Sequence, residues 1–444
     1  MKAKHFITAT MLLVCSNAFS QQFNDYFEDK TLRLDYIFAG DSAKQEIFFQ
    51  EASSTPQWAG RRNNLSNPLL GGNGQIVVRD AESGLAIYSN SFSTLFQEWQ
   101  STEEAAGLKR AFENCFQVPY PKKKVEVTVS LINVHGKVSS SLTHVVDPTD
   151  ILIREKKSKV EWKYIHKGGE LASCIDVAII AEGYNASEQE KFQNDARMAC
   201  DYLFGHEPFK SHANKFNVVA VAAQSDDSGV SVPHDKDWKS TATSSHYDML
   251  YSNRYLMTTN MQDIYDLLAG VPFEHIIVLV NTSKYGGGGI YNSVTVTTSD
   301  NESARPVLVH EFGHAFAGLG DEYFYDDQYS SSYPSDTEPW EPNLTTLVDF
   351  KSKWADMLPQ GTPVPTSPIT FKDYNPRSTM SFIHLDKKKQ HSLIHSIGVY
   401  EGGGYQSKGV FRPAMECRMK INEASDFCAV CTRAIIKMID YYTE

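Results

Sequence analysis

The chain has 444 residues, 41% hydrophobic, 12% aromatic and 22% charged, a composition that excludes a disordered, collagen-like or low-complexity protein. That length predicts two or three domains with ample material for a core. Lys and Arg total 42 against 54 Asp and Glu, and the net charge of −12 argues against nucleic acid or an anionic lipid surface as a partner.

Residues 1–20 read as a signal peptide: basic Lys2 and Lys4, an apolar run from Phe6 to Cys15, then the small-x-small site Ala18-Phe19-Ser20. Cleavage there starts the mature chain near Gln21 and predicts an exported protein: periplasmic, cell-surface or extracellular. A lipid anchor on Cys15 is the weaker alternative, because Val14 stands where a small residue is expected. No later stretch reaches eighteen apolar residues, so no transmembrane segment is expected.

Residues 21–160 carry short alternating runs such as Thr31 to Phe38, Gly74 to Val78 and Val125 to Leu131. Period-two patterning with turn residues between runs predicts an N-terminal antiparallel β-sandwich domain. Nothing in it resembles a catalytic cluster. The boundary falls between Asp147-Pro148 and Gly168-Gly169, and Lys156, Lys157 and Lys159 within it read as a solvated face.

Residues 161–444 change character. Ile175 to Ala181, Phe216 to Val221 and His275 to Val280 read as buried strands. Ser187 to Phe204 reads as a helix with Ser187 as N-cap and Glu190 completing a capping box, and Met261 to Ala269 as another. The alternation predicts an α/β domain with a mixed sheet, so the whole chain is a multidomain α+β protein. Beyond about 325 the pattern thins into loops and closes in a helix from about Phe427 to Tyr442. Three of the six cysteines after Cys15 crowd into Cys417-x-Met419 and Cys428-x-x-Cys431. For an exported chain the expectation is a local disulfide pinning the last helix; a structural zinc site lacks a clear fourth ligand.

The informative segment runs from Val307 to Tyr323. Its apolar positions predict a helix with one buried stripe, on which His310 and His314 stand one turn apart and can share one zinc ion. Glu311 projects beside the metal, as a general base acting on zinc-bound water would. Gly318 and Gly320 end the helix and return Asp321 or Glu322 as a third ligand. The metzincin spacing H-E-x-x-H-x-x-G-x-x-H/D would put that ligand at Gly320, which has no side chain. Asp321, one residue later, is therefore the candidate and Glu322 its rival.

The run L-V-H-E-F-G-H-A-F-A-G-L-G-D-E-Y resembles the active-site helix of the IgA-peptidase-type metallopeptidases, a bacterial family placed among the metzincin-like zinc endopeptidases. Ile180 to Tyr184, Phe216 to Val218 with Ser228 to Ser231, Tyr400 to Gly409, Phe411 to Pro413, Cys417 to Met419 and Phe427 to Cys431 resemble further segments of that family. The likeness covers about 170–444, and the β region before it resembles the family's accessory domain. It implies one catalytic zinc, Glu311 as base and hydrolysis of peptide bonds in protein substrates. A methionine turn beneath the metal is then expected, at Met419 rather than Met380.

Tyr405 is the candidate for steadying the oxyanion. The glycine run of Tyr285 to Val296 fits no phosphate loop and reads as a mobile rim leading into an edge strand, with a surface hairpin as the alternative. Two other functions use the same residues: a non-catalytic cell-surface binding protein on this scaffold, which the aromatic content suits, and a zinc amidase acting on glycans. Retention of Glu311 beside the ligands favours an enzyme.

Overall fold

The computed structural model describes residues 22–325, 333–368 and 396–444; the expected signal peptide, Cys15 and Met380 lie outside them. After the single-turn helix α1 (Phe23–Tyr26), the alternating runs form two four-stranded sheets. In one, β1 (Phe27–Gly40) lies between β5 (Arg110–Pro121) and β2 (Gln45–Thr55), with the short β8 (Arg154–Glu155) beyond β2. In the other, β3 (Gly74–Asp80) lies between β4 (Ala86–Phe92) and β6 (Val125–Ile132), with β7 (Val138–Val146) beyond β6. Pairing is antiparallel except between β2 and β8. In β6, Val125, Val127, Val129 and Leu131 are buried while the residues between them face outward, the period-two pattern of a half-buried strand. Phe92 joins the two sheets, its ring 6.2 Å from Phe38 and 4.4 Å from Phe116.

β1 departs from that alternation. Arg33 and Asp35 stand on its polar face, yet both are buried, because the second domain covers that face. Arg33 donates to both oxygens of Asp35 at 2.7 and 2.8 Å and also binds Asp266, on α4 (Met261–Leu267) of the second domain. Lys156 reaches Asp266 at 3.1 Å and Glu51 at 2.5 Å with a side chain only 12% exposed. It bridges the domains instead of standing on a solvated face.

The second domain is built on a six-stranded mixed sheet. Its order is β13 (Gly287–Ile290), β14 (Val294–Thr298), β12 (His275–Val280), β10 (Ile175–Glu182), β11 (Phe216–Val221) and β9 (Trp162–Lys167). The four central strands are parallel and the two edge strands antiparallel. β10, β11 and β12 are buried at every position, which is why they read as unbroken apolar runs.

The helix α3 (Gln189–Phe204) starts from a different cap than the one expected. Asn185 accepts from the Ser187 N–H at 2.9 Å, and Glu188 reaches back to the Asn185 N–H at 3.0 Å. The N-x-x-E box two residues upstream thus displaces the one read at Ser187, and a 3-10 turn leads into the helix. Against this sheet pack α5 (Ala304–Ala317) and α6 (Ala429–Thr443). A three-stranded sheet of β15 (Phe324–Tyr325), β17 (Tyr405–Arg412) and β16 (Tyr400–Gly403) follows α5. Among the described residues no helix is long and apolar enough to cross a membrane.

Candidate active site

α5 carries the histidines, but it is buried nearly all round instead of along one stripe. Val307, Leu308, Val309, Phe312, Ala315 and Phe316 point in several directions and all are buried. Only the edge bearing His310, Glu311 and His314 opens to a cleft. Gly318 ends the helix with φ 59°, a left-handed turn that suits glycine, and its N–H donates to the His314 carbonyl at 3.0 Å. Asn343 then accepts from the Gly320 N–H at 2.7 Å and donates to its carbonyl at 2.9 Å, which returns the following Asp321 to the helix.

His310 Nδ1 donates to the Arg418 carbonyl at 2.9 Å and His314 Nδ1 to the Leu319 carbonyl at 2.5 Å. A carbonyl only accepts, so each Nδ1 carries the proton and each Nε2 offers a lone pair. The two Nε2 atoms lie 3.0 Å apart, with Asp321 Oδ1 3.1 and 3.2 Å from them. Asp321 Oδ1 is buried with no hydrogen-bond donor. Three acceptors facing one point repel one another unless a cation sits among them, so the donor set fits a divalent metal. The electrostatics agree. Burial opposes charge on His314, yet Asp321 and Glu311 raise it to about 9; burial likewise opposes charge on Asp321, yet the two imidazoles hold its carboxyl well below the usual range.

Glu311 lies beside this point. Burial pushes its carboxyl up, Asp321 adds to the effect, and the histidines oppose it. The glycine run explains itself here. A Cβ on Gly289 would stand 2.2 Å from the Glu311 carbonyl oxygen and one on Gly287 would stand 2.9 Å from Val307, so β13 lies directly against the helix. Glycine serves close packing in this stretch, which forms the edge strand of the six-stranded sheet. The outer side of β13 is occupied at Gly287, which bonds Arg254 and Leu256.

Tyr405 comes to the site by a different contact from the one expected: its hydroxyl donates to Asp321 Oδ2, with Tyr323 3.5 Å away. Met419 is fully buried under α5, its sulfur 2.9 Å from where a side chain on Gly313 would begin. Glu322 turns away from the histidines. Its Oε1 accepts from Asn343 at 3.0 Å and lies 3.1 Å from Cys431 Sγ. Cys417, Cys428 and Cys431 gather around it as free thiols, so no disulfide pins α6.

Sequence reading missed Glu98. It sits on α2 (Leu95–Gln100) of the N-terminal domain, accepts from the Tyr255 hydroxyl, and lines the same cleft as His310 and Glu311. Burial first, with Asp321 and Glu311 adding, pushes its carboxyl up to about 7; Tyr255 and His314 oppose this. No local motif marks it, since it reaches the site only through domain packing. The cleft between the domains encloses about 1630 Å³, beyond the roughly 300–1,000 Å³ of small-molecule pockets.

Comparison with known families gives two matches. The family described as IgA Peptidase M64 matches residues 164–439, and that described as Peptidase M64 N-terminus matches residues 22–143. No curated protein matches the chain.

Proposed function

The chain belongs to the M64 family of IgA peptidases, and from that premise we propose that it is an exported, zinc-dependent endopeptidase cleaving protein substrates. The observation that carries the reading is the convergence of His310 Nε2, His314 Nε2 and Asp321 Oδ1 beside Glu311 in an open cleft. A zinc ion held by these three residues supplies Lewis acidity, making water more acidic and polarising a carbonyl.

The protein's own groups do the rest. Glu311, with a carboxyl raised by burial, accepts the proton of the attacking water and returns it to the leaving amine. Tyr405 orients Asp321 through its second oxygen. The strand β13 offers an edge, beyond the part taken up at Gly287, along which an extended peptide can pair. The N-terminal sheets, read as a β-sandwich, close the cleft through α2, and its volume suits a polymer better than a small molecule. We read the larger domain as metzincin-like, with Met419 as the floor of the site. Nothing among these residues encodes a preference for immunoglobulin A.

The test is metal analysis and proteolysis of the wild type and Glu311→Gln. Both are expected to bind zinc, and only the wild type to cleave. If both bind zinc and neither cleaves any of a broad panel of proteins, the hydrolytic reading falls and a binding protein on this scaffold replaces it.

A further inference from the structure

The three cysteines beside Glu322 form a closed, buried group apart from the cleft. Cys417 lies in the turn that carries Met419, Cys428 caps α6, and Cys431 follows in its first turn. All four side chains are at most 2% exposed, and one ligand atom from each lies within 4.8 Å of all the others. We propose that Cys417, Cys428, Cys431 and Glu322 bind a second, structural zinc ion that clips the catalytic loop to the last helix.

The distances suit that ion. With Zn–S about 2.3 Å and Zn–O about 2.0–2.2 Å, tetrahedral ligands stand roughly 3.5–3.8 Å apart. Glu322 Oε1 lies 3.1 Å from Cys431 Sγ and 4.0 Å from Cys428 Sγ. The backbone is arranged for thiolates: the Cys428 N–H points at Cys417 Sγ at 3.2 Å and the Cys431 N–H at Cys428 Sγ at 3.5 Å. A disulfide explains this group less well. It would join two sulfurs and leave the third beside a fully buried carboxylate whose Oε2 has no hydrogen-bond donor. Asn343 donates to Oε1 alone, and a buried carboxylate oxygen without a donor is costly, a cost that a divalent cation in the group removes. Four protein ligands leave no open position, which marks the ion as structural.

The location gives it a task. The Glu322 N–H donates to the Met419 carbonyl at 2.8 Å, and the neighbouring Arg418 carbonyl holds His310 Nδ1 at 2.9 Å. An ion bound by Glu322 and Cys417 therefore fixes both the loop bearing Asp321 and the turn that orients His310. It acts on position and takes no part in the chemistry at Glu311.

The test is metal analysis of the full chain purified without chelator. We expect two zinc ions per chain in the wild type and one in His310→Ala/His314→Ala. In that double variant, X-ray absorption is expected to show sulfur neighbours at about 2.3 Å. Only nitrogen and oxygen neighbours, or no zinc, would overturn the proposal, as would an intact mass 2 Da low with two of the three cysteines resistant to alkylation. Glu322→Gln should lose this zinc at least tenfold faster to a chelator; unchanged retention would remove Glu322 from the ligand set. Because the histidine variant lacks the catalytic ligands, these readouts stand or fall separately from the hydrolytic reading.

Discussion

Asp321 and Glu322 are consecutive residues whose carboxylates serve two separate groups. Asp321 Oδ1 lies 3.1 Å from His310 Nε2, whereas Glu322 Oε1 lies 3.1 Å from Cys431 Sγ. The Gly318 turn and the clamp of Asn343 on Gly320 deliver the two side chains to opposite sides of one loop. Of the two rivals only Asp321 lies beside the histidines, and Asp321→Ala is expected to lower zinc content at that site sharply. Metal analysis showing full occupancy in that variant would exclude Asp321 as a ligand.

Tyr405→Phe separates two roles. A hydroxyl that orients Asp321 predicts a loss of metal affinity of about 10–100-fold with kcat nearly kept once metal is saturating. A hydroxyl that met the oxyanion would instead lower kcat with metal affinity intact. Metal titration beside steady-state kinetics decides between them.

Gly289→Ala should destabilise the protein by about 1–3 kcal/mol, because its Cβ would meet the Glu311 carbonyl and push β13 off α5. Gly107→Ala, where a Cβ meets nothing within 4 Å, is the control and should leave Tm nearly unchanged. Equal Tm values for the two variants would contradict the packing account.

The domain bridge has an unequal pair of ends. Arg33→Ala leaves the buried Asp35 with only Lys156, 4.0 Å from Oδ2, as a cationic partner and should cost about 3 kcal/mol. Asp266→Ala removes a partner that is 56% exposed and should cost about 1 kcal/mol or less. Urea denaturation of both variants measures the difference, and a larger loss for Asp266→Ala would reverse the assignment.

Asp176 predicts a pH dependence. It is buried in β10, with Asn217 donating to Oδ1 at 3.1 Å and nothing donating to Oδ2, and burial pushes its carboxyl up to about 7. The folded state then binds a proton more tightly than the unfolded one, so stability is fully present below about pH 4 and lost as pH rises through about 7. Asp176→Asn should remove this slope and gain about 1–3 kcal/mol over wild type by pH 8. Parallel stability curves for the two proteins between pH 5 and 8 would refute it.

What the chain's sequence made legible was local. The strands beginning at Ile175, Phe216 and His275 and the helix around His310 declare themselves within a dozen residues, through apolar runs and i, i+4 spacing. The cap of α3 was misread because two N-x-x-E and S-x-x-E boxes overlap, and only the backbone chooses between them. Glu98, Asn343 and the grouping of Glu322 with the cysteines depend on segments far apart in the chain, which no periodicity marks. The burial of Arg33 and Asp35 is not legible in the alternating run Thr31 to Phe38, because alternation reports that a face is polar, not what covers it.

The two domains share more than the Arg33 bridge. The Ser93 N–H donates to the Tyr291 carbonyl at 3.0 Å and Asn292 donates to the Ser91 carbonyl at 2.8 Å, so the end of β4 is bonded directly to the turn after β13. Glu98 and Tyr255 meet across the same seam. Modularity therefore stops at this seam: a truncation that kept only the larger domain would retain every candidate metal ligand and lose one wall of the active-site cleft. In genetic terms, the N-terminal region is not an interchangeable appendage, and inserts, swaps or fusions between the halves would be felt as defects in substrate handling.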